Sequence, residues 1–69
     1  MNKYLIPVCD IQHSNVYILC IYANSYNHCK EKIIERFSRY SDKDDYEEFI
    51  KDLDKKDILI GSISDIEEF

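Results

Sequence analysis

Two apolar runs open the chain and differ in kind from the rest of it. Residues 3–10 (Lys-Tyr-Leu-Ile-Pro-Val-Cys-Asp) and 16–23 (Val-Tyr-Ile-Leu-Cys-Ile-Tyr-Ala) are β-branched and aromatic-rich. They flank a polar, turn-like Gln12-His13-Ser14-Asn15, so they predict an antiparallel hairpin. Pro7 has no N–H to give a neighbouring strand, so it suits a bulge or a side of the strand where no ladder bond is needed. From Tyr26 the period changes to helical. Tyr26, Cys29, Ile33, Phe37 and Tyr40 share one face at steps of three and four, with Asn24 and Ser25 as capping candidates. Lys30, Glu31, Lys32, Glu35, Arg36 and Arg39 lie between them as a solvated face. Ser41-Asp42-Lys43-Asp44-Asp45 breaks this pattern, and Ser41 or Asp42 could cap a second helix. Tyr46, Phe49, Ile50 and Leu53 then predict a short amphipathic helix over 44–55. Residues 57–64 read as a third strand.

The expected architecture is α+β: one two-layer β-β-α-α-β domain over residues 1–69. Two helices lie on one face of a three-stranded, mainly antiparallel sheet, and the third strand pairs beside the first. A single domain is all that 69 residues hold. Disorder is excluded by the apolar content, with isoleucine alone occurring eleven times.

This pattern contains a mismatch. The second strand is apolar on both sides, with Val16, Ile18, Cys20 and Tyr22 on one and Tyr17, Leu19, Ile21 and Ala23 on the other. The first sets Tyr4, Ile6 and Val8 against Leu5 and Cys9. Two helices cover one face, and a solvated second face should alternate with polar residues. The second face therefore needs a cover, the simplest being another copy of the chain. Tyr4, Tyr17, Leu19 and Ile21 are the expected residues of that oligomer contact, tyrosine being suited to interfaces.

Charge adds a second surface. Nine Lys and Arg stand against fourteen Asp and Glu, a net of -5. Residues 42–57 hold eight acids and four bases, and residues 65–68 add three acids without a base. An acidic array competes for basic grooves on other proteins. The expected contact with a protein partner of basic surface is Asp44, Asp45, Glu47, Glu48, Glu67 and Glu68. Direct nucleic-acid binding is disfavoured, because the cluster Lys30, Lys32, Arg36 and Arg39 is diluted by Glu31 and Glu35.

Chemistry-bearing motifs are sparse. Cys9, His13, Cys20, His28 and Cys29 lack the paired spacing of a zinc site, and no Gly accompanies the aspartates as a calcium loop requires. With one glycine in the chain there is no phosphate-cradling loop and no nucleophile elbow. No catalytic residue, metal or cofactor is expected. Three cysteines, an odd number, read as reduced thiols and point to the cytoplasm. No secretory leader is expected, since the apolar stretch from Tyr4 to Cys9 is short and interrupted by Pro7. The longest apolar run, Val16 to Ala23, is too short to span a membrane.

The opening Lys3-Tyr4-Leu5-Ile6-Pro7-Val8, the passage Tyr22-Ala23-Asn24-Ser25 into Cys29 and Ile33, and the closing Gly61-Ser62-Ile63-Ser64-Asp65-Ile66-Glu67-Glu68-Phe69 resemble the short acidic proteins of bacteriophages and mobile elements of low-GC bacteria. Some of these inhibit host defence systems such as CRISPR. The resemblance implies a non-catalytic binding inhibitor acting in the host cytoplasm, and it carries over no site residues. Two other readings stay open. One is a small-molecule or nucleotide binder with its site at a dimer seam lined by Tyr17, Tyr22 and Arg36 or Arg39. The other is a regulatory subunit whose bare sheet face docks into a larger assembly.

Overall fold

A computed structural model describes residues 1–66. Strands β1 (Asn2–Asp10) and β2 (Asn15–Ala23) form the expected hairpin, in unbroken register from Asn2 opposite Ala23 to Asp10 opposite Asn15. The turn is a short 3-10 segment, Ile11–His13, ended by Ser14 in the left-handed region at φ 52°. Asp10 fixes it: its carboxylate accepts from the His13 N–H at 3.2 Å and lies 2.8 Å from His13 Nδ1.

Helix α1 (Tyr26–Arg36) starts at Ser25, whose hydroxyl accepts from the His28 N–H at 3.1 Å. His28 reciprocates, its Nδ1 accepting from the Asn24 N–H at 3.1 Å. The periodicity predicts a helix through Tyr40, but α1 ends at Arg36. Phe37 and the residues after it turn on short-range bonds, Ser38 N–H to Glu35 and Tyr40 N–H to Phe37. Helix α2 (Tyr46–Lys55) is capped by Asp45 rather than by Ser41 or Asp42, its carboxylate accepting from the Glu48 N–H at 3.2 Å. Glu47 and Glu48 occupy the first turn, where the helix dipole favours acids.

The third strand pairs beside β1, as expected, but it is split. β3 (Ile58–Ile60) and β4 (Ser64–Ile66) both run antiparallel to β1 along one edge. Val8 faces Ile60 and Leu5 faces Ser64. Two β1 residues, Ile6 and Pro7, are thus opposed by three, Gly61, Ser62 and Ile63, which is a bulge. The Pro7 carbonyl accepts from the Gly61 N–H. Backbone donor and acceptor of one strand residue point the same way, so the missing Pro7 N–H falls on this side. The bulge beside Pro7 is one of the two outcomes its missing donor allows, but the split it makes in the last strand is not the continuous strand expected over 57–64.

Both helices pack on one face of the sheet, α1 against β2 and α2 against β3. Cys29, Ile33, Phe37, Phe49 and Leu53 interlock there with Tyr4, Ile6, Val8, Leu19, Ile21, Ala23 and Ile58. Phe49 is fully buried, and truncating such a ring to Ala costs about 3–5 kcal/mol.

This packing corrects the expected oligomer contact. Tyr4 is 2% exposed, Leu19 7% and Ile21 8%, with Tyr17 half-buried against them. They line the covered side, under the helices. Tyr4 also satisfies its hydroxyl within the chain, accepting from Asn2 Nδ2 at 3.2 Å.

Candidate functional site

The bare side of the sheet belongs to the alternate residues. On β2, Val16 is 75% exposed, Ile18 60% and Tyr22 53%; Leu59 on β3 is 40% exposed. Cys20 and Pro7 are exposed, and Leu5 and Cys9 half-buried. The registers knit them into one patch: Cys9 lies between Val16 and Leu59, Pro7 beside Ile18, and Leu5 beside Cys20. Lys3, opposite Tyr22, is the single charged residue of this set, its Nζ 6.0 Å from the Tyr22 ring centroid. The hairpin register and β1 together carried the signal that identifies this side. Lys3 and Pro7 sit on one side of β1, and Tyr4, Ile6 and Val8 on the other; the register passes that division to Tyr22 and Ile18.

The predicted acidic contact sits on the other layer, at the start of α2. Asp44, Asp45, Glu47 and Glu48 are all exposed. Two have local roles, Asp45 as the cap and Glu48 through the N–H it gives that cap. Glu48 also borders a groove with Lys43, Lys51, Asp52 and Lys55, so lysines interleave this end of the acidic array. Asp44 and Glu47 are the acids left free of such bonds among the described residues. Glu67 and Glu68 lie outside the described residues.

Below this patch Ser41 is buried. Its oxygen accepts from the Lys43 N–H at 3.2 Å. Its hydrogen bond to Asp52 holds that carboxyl below its usual value, helped by Lys56, Lys43 and Lys55. Where α1 meets α2, Lys30 Nζ lies 4.8 Å from the Tyr26 ring centroid and 5.2 Å from that of Tyr46. Tyr26, expected in the core, is about half exposed and meets Tyr4 edge-on at 6.4 Å. Tyr46 is half-buried, and desolvation, with Tyr26 and Cys29 nearby, pushes its phenol up to about 12. Burial likewise raises the Cys29 thiol, against the pull of Lys32.

The cysteines and histidines are dispersed. His13 pairs with Asp10, His28 serves the α1 cap, Cys29 is in the core and Cys20 on the bare face. Among the described residues no three His, Cys, Asp or Glu side chains converge as metal ligands. Likewise, no helix among them is long and apolar enough to cross a membrane.

One groove, of about 580 Å³, lies between β2 and α1, lined by Ile21, Tyr22, Lys32, Glu35 and Arg36. It unites Tyr22 with Arg36, two residues of the predicted small-molecule seam. Tyr17, the third, is opposite Val8 toward the other end of the hairpin. Lys32 is already engaged there, donating to the Tyr22 carbonyl at 2.7 Å.

No family model matches this sequence, and no similar curated protein or solved structure was found.

Proposed function

We propose that this chain is a non-catalytic protein-binding module. It closes its bare sheet face on a second copy and meets a protein of basic surface with the acids at the start of α2. The observation that carries this reading is the segregation of the two surfaces. The apolar face, with Lys3 as its one charge among the described residues, is on one side; Asp44 and Glu47 are exposed on the helix layer. Two copies each carrying -5 can join these faces without setting acid against acid. Three strands about 4.8 Å apart and nine residues at about 3.3 Å give a planform of roughly 400 Å² before side-chain relief. That is below the roughly 600 Å² per partner at which stable specific interfaces begin, so face closure by itself makes a weak contact.

The acids remain outward, where they steer toward a basic groove and occupy it in place of its nucleic acid. An inhibitor of a host defence or nucleic-acid-handling protein would work in this way. The test reverses Asp44 and Glu47 to Lys, leaving the Asp45 cap intact, and compares affinity capture from low-GC bacterial lysate across salt concentrations. The expected result is one stoichiometric basic protein, lost as salt rises and lost in the variant, with circular dichroism unchanged. Capture at full strength by the variant defeats the acidic-contact reading.

A second reading has the groove of Tyr22, Lys32 and Arg36 in its favour, since a cationic and aromatic lining suits a small anionic ligand such as a nucleotide. A small molecule retained through purification and released on denaturation would favour it.

A further inference from the structure

The outer edge of β2 is a long row of backbone groups with no strand beside it among the described residues. Which groups point outward follows from two hydrogen bonds. Pro7 accepts from Gly61, so the odd residues of β1 turn toward β3 and β4, and Tyr4, Ile6 and Val8 turn toward β2. Their partners Ile21, Leu19 and Tyr17 face inward. Val16, Ile18, Cys20 and Tyr22 must then turn their N–H and C=O outward. Lys32 bears this out independently by donating to the Tyr22 carbonyl from outside the sheet. Val16, Ile18 and Cys20 are left without a backbone partner among the described residues.

Proteins blunt such edges with charges, prolines, bulges or brevity. β2 has none of these. It is nine residues long, in unbroken register with β1, and free of Asp, Glu, Lys, Arg and Pro. The charge-free segment extends from Ile11 to Cys29, so all 23 charged residues, nine basic and fourteen acidic, lie in the other fifty positions. The opposite edge is built from three-residue strands broken by the bulge.

We infer that β2 is an assembly edge, on which the β2 strands of two copies of this chain pair antiparallel with Ile18 opposite Ile18. Charge selects the occupant. A strand laid here sets its side chains beside uncharged, apolar neighbours on both faces, and β2 itself meets that demand. On the acidic helix layer two chains of charge -5 would repel. Lys32 selects the register: with the Tyr22 carbonyl taken, the free residues are Val16, Ile18 and Cys20, symmetric about Ile18. Val16 then faces Cys20, and the three pairs exchange about six hydrogen bonds around a two-fold axis. Both bare faces emerge on the same side. The pairing does not depend on what covers them: edge pairing alone gives a dimer, and edge pairing with face closure gives four copies.

Amide hydrogen exchange on the wild-type chain, followed by NMR across a concentration series, tests this. The amides of Val16, Ile18 and Cys20 should be protected as well as those of Tyr17, Leu19 and Ile21, and should exchange at least tenfold faster on dilution while the latter hold. Free exchange of the three at every concentration overturns the pairing. Protection that appears only when another protein is added overturns the second copy as occupant. Leu59→Lys, remote from this edge, disrupts the face; edge protection should survive it, and its loss would mean that face closure alone shields β2. Ile18→Pro removes one outward donor and none of the β1 ladder. It should halve the mass in sedimentation with circular dichroism unchanged, and a folded variant of unchanged mass overturns the inference.

Discussion

Pro7 and Gly61, the one proline and the one glycine in the chain, meet across the sheet. The Gly61 N–H donates to the Pro7 carbonyl at 2.8 Å, and a Cβ on Gly61 would lie 2.6 Å from Pro7 Cγ. Gly61 has no positive φ, so space rather than backbone freedom demands glycine. Gly61→Ala forces a methyl into a rigid ring and should cost about 1–3 kcal/mol. In a domain of this size each kcal/mol lowers Tm by about 4–8 °C. Pro7→Ala should relieve most of that cost in the double variant, measured by urea denaturation as a coupling between the two sites. A Gly61→Ala variant as stable as wild type removes the steric argument.

Neighbours on β2 should respond in opposite ways. Leu19 faces the helices and Ile18 the bare side. Leu19→Ala should cost about 2–5 kcal/mol, whereas Ile18→Ala should cost less than about 1 kcal/mol in the monomer, as exposed sites do. Equal losses at both positions would place the core on the wrong side of the sheet.

Asp57 follows the last turn of α2 at φ 64°, a left-handed conformation that favours glycine. Its carboxylate also stands at the negative end of the helix dipole. Asp57→Gly should relieve both and raise stability by about 0.5–1 kcal/mol, net of the added freedom of the unfolded chain. Asp57→Val should lower it by more than about 1 kcal/mol. Thermal unfolding of both variants checks the sign.

Alkaline stability should depend on Tyr46. Its phenol is raised from 10.0 to about 12 in the fold. Below pH 10 both folded and unfolded chains keep the proton, and the contribution is complete. Between about pH 10 and 12 the unfolded chain releases it while the folded chain retains it, so stability falls as pH rises. Tyr46→Phe should flatten that fall. The ultraviolet titration of wild type minus that of Tyr46→Phe isolates this phenol among the six tyrosines, and a difference centred near pH 10 would refute it.

The hairpin and both helices were legible because each rests on local pattern: Tyr17 to Ala23 on one side of β2, Phe49 and Leu53 on one stripe of α2. The split of the last strand was not. Ile58 to Ser64 reads as continuous, and the break is imposed by a proline some fifty positions earlier. Nor was the true cap of α2: Ser41 or Asp42 was the expected cap, and Asp45 takes the place because it stands three residues before Glu48, from whose N–H it accepts. The existence of a bare face could be read from β2, but its identity could not, because Val16, Ile18 and Tyr22 are as apolar as Leu19 and Ile21. The division on β1 between Lys3 with Pro7 and Tyr4 with Val8 decides it once the hairpin register is known.

The same proline bears on the order in which the chain folds. β1 is the centre of the sheet, yet its two neighbours arrive at different times: β2 closes through a short turn, whereas Cys9 and Leu59 are fifty positions apart. Contacts of that separation carry the larger loop-closure cost and form late. Until they form, the hairpin has two open edges, with the aggregation hazard that such edges bring. Pro7 removes a donor from the middle of the edge that waits for β3 and β4, a gatekeeper against foreign strands during that interval. The bulge in the finished sheet is the trace that this protection leaves behind.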